Sequence, residues 1–314
     1  MLDKSAEIVK NAIPGIRSMM KISAEEIERG INIPWAYFNH GLLCYLGGDE
    51  ANGLDSYLLG VHYCTARWML ATHLNDLTNL KMVDLELPGL KDVWHILRLG
   101  LALRFGDEQA IRRLTENHGA MSTDLSLPLT IIAGTTNQTR EELGQELHDV
   151  LLGAFSSYEG TVISGSTTSG VCQIVGDIQT AFPSSMRTIG YIPKKLPEDV
   201  EVDLRFTRVH RTEGANFSFL EALRYWTDIA LQRLPPASIS LLGIGGGKLS
   251  GLEYRLALVL GARVGILAES IGTGTKLLQS PEWQELDIQI IEKSPNAVAD
   301  FLANGTTLER VPEY

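Results

Sequence analysis

The sequence predicts an α/β protein, a doubly wound and mostly parallel sheet preceded by an all-α helical domain. Three observations carry that expectation. From Pro128 onward, short β-forming apolar runs alternate with apolar patterns at helical spacing. Strands joined by helices of this length need right-handed crossovers, which lay the strands parallel with helices on the faces. Several of the runs end in Gly, Ser and Thr rather than in bulky residues, and the first third of the chain shows helical periodicity without any strand pattern.

The bulk composition narrows the options. A chain of 314 residues with 44% hydrophobic content is long enough for two packed domains, expected at 1–122 and 127–314 with a polar link between. A net charge of -11 argues against a nucleic-acid partner bound through a broad basic face. Cys44, Cys64 and Cys172 are too widely spaced for a zinc motif or a disulfide framework, so a reducing, cytoplasmic location is expected. No signal-peptide core opens the sequence, and Arg98, Arg104 and Arg263 interrupt the most apolar stretches, so no membrane span is expected.

In the helical part, residues 5–12 read as a short helix ended by Pro14, and Ser23 with Glu26 reads as the capping box of a second helix. Leu58, Leu59, His62, Ala66, Met69, Leu70 and His73 recur at three and four residue spacing, which predicts one long buried helix. Two further helices are expected near 90–104 and 107–116. His40, His62, His73 and His95 form no metal-ligand motif and read as packing residues; no metal site is expected.

The α/β part begins with a strand at 129–133 that ends in Gly134, Thr135 and Thr136, followed by a helix carrying Leu143, Leu147, Val150, Leu151 and Phe155 on one face. A strand at 160–164 runs into Gly165, Ser166, Thr167 and Gly170 and then a helix through 175–180. Strands are expected at 187–192 and 204–209, and a helix at 217–231. The run Ile239, Leu241, Leu242 leads into Gly243, Gly245, Gly246 and Gly247, after which Ser250 and Glu253 open another helix. A strand at 264–267 is followed by Glu269, Gly272, Thr273 and Thr275; a strand at 288–291 and a helix at 295–302 complete the pattern.

In such sheets ligands bind outside the carboxyl ends of the strands. Four glycine-rich strand ends, at Gly134, Gly165, Gly243 and Gly272, therefore predict a crevice able to take phosphates on backbone N–H groups and helix N-termini. Lys248, Arg140 and Lys276 are candidate cations for it, although each taken alone reads more readily as a solvated surface charge. Neither the dinucleotide fingerprint nor the P-loop is present, and Glu269 does not restore the former. Glu253 stands out. A carboxylate in a first helical turn compensates the dipole, yet beside Ser250 it can equally hydrogen-bond a ribose diol or act as a general base at an anomeric carbon. His210 and Arg211 are placed to reach the same crevice, and no second acid is identifiable by spacing.

The stretches GTVISGSTTSGVCQIVGDIQ, from Gly160 to Gln179, and GGGKLSGLEYRLALVLGARVGIL, from Gly245 to Leu267, resemble the signature stretches of the SLOG superfamily. The likeness is to the branch related to the cytosolic N-terminal region of melastatin-type TRP channels and covers about 127–301, including the turns at Ala133 and Glu269. It implies a Rossmann-like fold and binding of a nucleotide ligand, ADP-ribose or another NAD-derived signal, with no further cofactor. The ligand residues it implies are Gly134, Thr135, Thr136, Gly165, Ser166, Thr167, Gly170, Gly245, Gly246, Gly247, Lys248, Ser250, Glu253, Glu269, Thr273 and Thr275. Some relatives, the Lonely-Guy enzymes, are nucleotide N-glycosidases with a PGGxGTxxE motif. Gly246, Gly247, Ser250 and Glu253 match its Gly, Gly, Thr and Glu places, which would make Glu253 catalytic; Leu249 stands where a glycine belongs and Gly245 where the proline falls. The leading expectation is a sensor that forms a homo-oligomer; the alternative is a phosphoribohydrolase.

Overall fold

Apolar residues at helical spacing over the first third of the chain fold into α1 (Leu2–Glu28), α2 (Trp35–Leu46), α3 (Glu50–Tyr63), α4 (Arg67–Lys81), α5 (Leu90–Phe105) and α6 (Glu108–His118). This computed structural model describes residues 2–81, 87, 89–118, 124–134, 141, 144–270, 281–284 and 286–303. The chain divides into two units, Met1–Gly119 and Ala120–Tyr314.

Two expectations for the helical unit are corrected. Pro14 does not end a helix but lies inside α1. Ser23 therefore has no free helix start to cap; its hydroxyl donates back to the Met20 carbonyl at 3.0 Å and lies 3.0 Å from His40 Nδ1. The long helix expected across Leu58 to His73 is two, because the backbone turns extended at Cys64 (φ -67, ψ 119). Arg104 from α5 stabilises the break by donating to the carbonyls of Val61, His62 and Cys64 at the end of α3.

His73 packs in the centre of this unit, its ring stacked on Phe38 at 4.2 Å and tilted against Tyr57 at 5.4 Å. Its Nε2 is buried without a hydrogen-bond partner among the described residues, and burial pushes its pKa down to about 4. The unfolded chain takes up this proton first as pH falls from 6.5, so the helical unit loses stability down to about pH 4 and no further on this account. His73→Phe is expected to abolish that loss, read by hydrogen exchange at amides of α2 to α4; an unchanged acid profile would show that another group sets it.

The second unit holds β1 (Leu129–Gly134), α7 (Gln145–Ala154), β2 (Gly160–Ser164), α8 (Gly170–Ala181), β3 (Met186–Pro193), β4 (Arg208–Thr212), α9 (Leu220–Leu231), β5 (Ile239–Ile244), α10 (Lys248–Leu260), β6 (Arg263–Leu267), α11 (Pro281–Gln284), β7 (Ile288–Ile291) and α12 (Pro295–Ala303). The strands form one sheet in the order β4-β3-β2-β1-β5-β6-β7, every neighbouring pair parallel. This is a Rossmann-like, doubly wound α/β fold. The fourth strand starts later than expected: Leu204 is 88% exposed, and the preceding turn is held instead by Arg205, which pairs with Asp203 and Asp177.

Alternating side chains separate the two faces of the sheet. Ile132, Val162, Leu242 and Ile244 pack into one buried cluster with Leu151 and Phe155 of the α7 region, Ile174 of α8 and Phe301 of α12. Ile131, Ile163 and Leu241 occupy neighbouring register positions on the opposite face. Each such fully buried aliphatic side chain contributes roughly 1.5–3 kcal/mol of transfer free energy. Both runs of crossovers start from the centre: the chain leaves β1 toward β2 on one side, and β5 opens the other side. The gap between β1 and β5 is the switch point of the sheet, where the following loops diverge.

Candidate functional site

At the carboxyl end of β1 three hydrogen bonds bind the glycine loop after β5 to the sheet. Ser250 donates to the Gly134 carbonyl at 2.9 Å, and the Tyr254 hydroxyl lies 3.2 Å from the Ala133 carbonyl and 3.0 Å from that of Gly245. Gly134 itself sits so close to the Ile244 carbonyl oxygen that a Cβ would collide with it. Gly246 has φ +90, and a Cβ there would strike Ser250. Ser250 is thus a buried clasp between two strand ends as well as a candidate contact for a ligand.

Beside this clasp lies a cavity of about 100 Å³. It is lined by Ile131, Ala133 and Gly134 from β1, by Ile163 and Ser164 from β2 with Gly165 just after it, by Tyr191, Glu221 and Tyr225, and by Ser250 and Glu253 of α10. That volume is about three waters' worth and falls short of the roughly 300 Å³ of whole-ligand sites. It suits a ring or a sugar, with the rest of a larger ligand lying outside it.

Glu253 and Glu221 make the cavity acidic. The Tyr225 hydroxyl approaches Glu253 Oε1 at 3.5 Å. Burial pushes the Glu253 carboxyl up to about 7; the Tyr225 hydrogen bond opposes this and the neighbouring Glu221 charge adds to it. Tyr225 is itself held well above the usual phenol range, by burial first and then by Glu253. Glu221 is anchored differently. Its Oε2 accepts from the Ser218 N–H at 2.8 Å and the Ser218 hydroxyl at 3.3 Å, while Oε1 accepts from the Thr212 hydroxyl. The two carboxyl groups sit in contrasting settings, one fixed among donors and one free to titrate near neutral pH.

Among the sequence-derived candidates, Gly134, Gly165, Thr167, Ser250 and Glu253 line this cavity. Ser166 is fully buried at φ 46 against Gly190, where no Cβ would fit. The turn that carries it is fixed by Asp203 N–H donating to the Ser166 carbonyl at 3.0 Å and Thr168 N–H to the Glu201 carbonyl at 3.1 Å. Gly170, at φ +62, opens α8. Gly245 is buried at φ +61, whereas Gly247 and Lys248 are exposed at the start of α10. Glu269 is exposed at φ 62 beyond β6. Thr135, Thr136, Thr273 and Thr275, with Arg140 and Lys276, lie outside the described residues.

His210 is not beyond the fourth strand but within it, buried, its ring 5.1 Å from that of Tyr191. Burial, with Arg208 and Arg224 nearby, pushes it down to about 4. Arg211 is exposed, 3.3 Å from the Lys194 carbonyl. Sequence reasoning missed Glu221, Tyr191 and Tyr225. For Glu221 a signal existed: Ser218-x-x-Glu221 is a capping box, and Glu221 does reach back to the Ser218 N–H. Among the described residues no cluster of His, Cys, Asp and Glu could hold a metal ion, and no helix is long and apolar enough to cross a membrane.

Fold and site define a doubly wound α/β protein with a small acidic cavity at its switch point. Among solved structures the chain is similar to the molybdenum cofactor carrier protein of Chlamydomonas reinhardtii, at 15% identity over 58% of this chain and 99% of that one, with a TM-score of 0.41. It is also similar to TM1055, a structural-genomics target, at 17% identity over 56% of this chain and 98% of that one, with a TM-score of 0.39. No family model and no curated protein matches the sequence. At these scores the fold class rests on the strand order of the sheet itself.

Proposed function

We propose that the α/β unit is a SLOG-like domain that binds a nucleotide derived from NAD or ADP-ribose, and that the chain acts as a sensor of that ligand, as a homo-oligomer. In this reading the sugar enters the cavity against Glu253, and the phosphates lie outside it along the turns at Gly165 to Gly170 and Gly245 to Gly247. The observation that carries the reading is the position of Glu253: a carboxyl group lining a sugar-sized cavity at the switch point of a parallel sheet, next to a glycine loop at a helix start.

A second reading, a nucleotide N-glycosidase of the Lonely-Guy type, is favoured by one property of the same residue. A carboxyl held near 7 is poised to exchange a proton at neutral pH, the condition for general acid or base work. Incubation with ADP-ribose, cyclic ADP-ribose, NAD, AMP and IMP, followed by native mass spectrometry and analysis for free base, separates the two. The expected result is one intact nucleotide per chain and no base released. Catalytic base release, lowered about 100-fold or more in Glu253→Gln while binding persists, overturns the sensor in favour of the enzyme. No retention of any of these nucleotides, together with no base released, overturns both.

A further inference from the structure

Two glutamates, Glu221 and Glu253, line one small cavity, and among its described lining residues there is no lysine or arginine. We propose that Glu221 and Glu253 together make the cavity selective for a sugar with an unphosphorylated vicinal diol, so that a nucleotide bearing a phosphate on its 2′- or 3′-hydroxyl is rejected. This rests on the nucleotide reading above and adds to it a second residue and a substrate class.

The contacts favour a diol. Among the described residues Glu253 Oε1 has one hydrogen bond, from the Tyr225 hydroxyl at 3.5 Å, and Oε2 has none, which leaves it able to accept from a sugar hydroxyl. Ile131, Ile163 and Val171 offer apolar surface to the face of a furanose ring. Glu221 supplies the exclusion. It is buried, and the Thr212 hydroxyl, the Ser218 N–H and the Ser218 hydroxyl hold both its oxygens, so it cannot swing out of the way of an incoming anion. A phosphate on the diol would place up to two further negative charges beside two carboxyl groups in a poorly solvated space. Such a like-charge contact discriminates strongly because the wrong ligand suffers both repulsion and desolvation.

Titration calorimetry with AMP, 2′-deoxy-AMP, adenosine 2′,5′-bisphosphate and adenosine 3′,5′-bisphosphate tests the proposal. Both bisphosphates are expected to bind at least about 30-fold more weakly than AMP, and the deoxy analogue about 10-fold more weakly. Glu221→Gln keeps an oxygen for the Ser218 N–H, since glutamine serves in a capping box. It should narrow the bisphosphate penalty to within about 5-fold of AMP. Should that variant fail to fold, Glu253→Gln carries the test above pH 7, where that carboxyl group is ionised, and the penalty is again expected to narrow. If AMP binds and the bisphosphates bind as well as AMP in the unaltered protein, this inference falls and the nucleotide reading stands. If AMP binds and the penalty persists undiminished in every variant that folds, the carboxyl groups are not its cause and the inference also falls. If none of the four nucleotides binds while ADP-ribose does, the diol assignment is wrong for this cavity; if ADP-ribose fails too, the nucleotide reading fails with it.

Discussion

Gly134→Ala is expected to destabilise the α/β unit by about 3 kcal/mol, at the upper end of the cost of overpacking a core, and to abolish ligand binding. The added Cβ would collide with the Ile244 carbonyl oxygen, a backbone atom fixed in the adjacent strand, and would stand 3.1 Å from Val171 Cγ2. Relief requires the ends of β1 and β5 to part. That movement would pull Ser250 from the Gly134 carbonyl and Tyr254 from Ala133, undoing the clasp that sets the glycine loop and, one helical turn on, Glu253. Gly247→Ala is the control: nothing lies within 4 Å of its Cβ and its φ is -91, so thermal unfolding should barely change. Equal losses at the two positions would show that crowding between β1 and β5 is not the reason for glycine there.

Between pH 4.5 and 6.5 two proton linkages are expected to act in opposite directions on the stability of the α/β unit. Glu253 ionises in the unfolded chain near 4.5 but in the folded state near 7, so its contribution falls as pH rises through that window and is constant above it. His210 is protonated in the unfolded chain below 6.5 but in the folded state only below about 4, so its contribution rises with pH over 4 to 6.5. Single substitutions should expose them. Glu253→Gln should leave a unit that weakens on acidification from pH 6.5, and His210→Phe one that weakens on going from pH 4.5 to 7. Hydrogen exchange at amides of β1 and β5 reads this unit separately from the helical one. Parallel profiles for the two variants would refute the assignment of the opposed slopes to these residues.

What was legible in the sequence follows from burial. Strands β1, β2, β5 and β6 are covered on both faces, so they read as short, largely apolar runs next to glycine and can be placed almost to the residue. Strand β4, at an edge with a single neighbour, reads Arg-Val-His-Arg-Thr and carries too few apolar residues to compete with the segment around Leu204 just before it. Pro14 misled because the cost of proline inside a helix is an average that packing can override. At the site, Glu253 was legible because it follows a glycine loop at a helix start. Glu221 and Tyr225 were not, because what makes them part of the cavity is the crossover that brings α9 back to the sheet, and no local spacing encodes that. The Ser218 to Glu221 spacing announces a cap and says nothing of which way the remaining face of the carboxylate looks.

The central place of β1 has a consequence for how the chain comes off the ribosome. Ile131 pairs with Ile163 soon after it is made, but its other neighbour, Leu241, belongs to β5 and is synthesised only after β2, β3, β4 and α9. Throughout that interval the innermost strand of the finished sheet is an outer one, with a row of unpaired N–H and C=O groups and an apolar surface on show. Parallel pairings between distant segments form slowly for the same entropic reason. The nascent chain is therefore most prone to mispairing while it ends short of β5, and a chain arrested near Leu234 would hold that vulnerable edge open indefinitely.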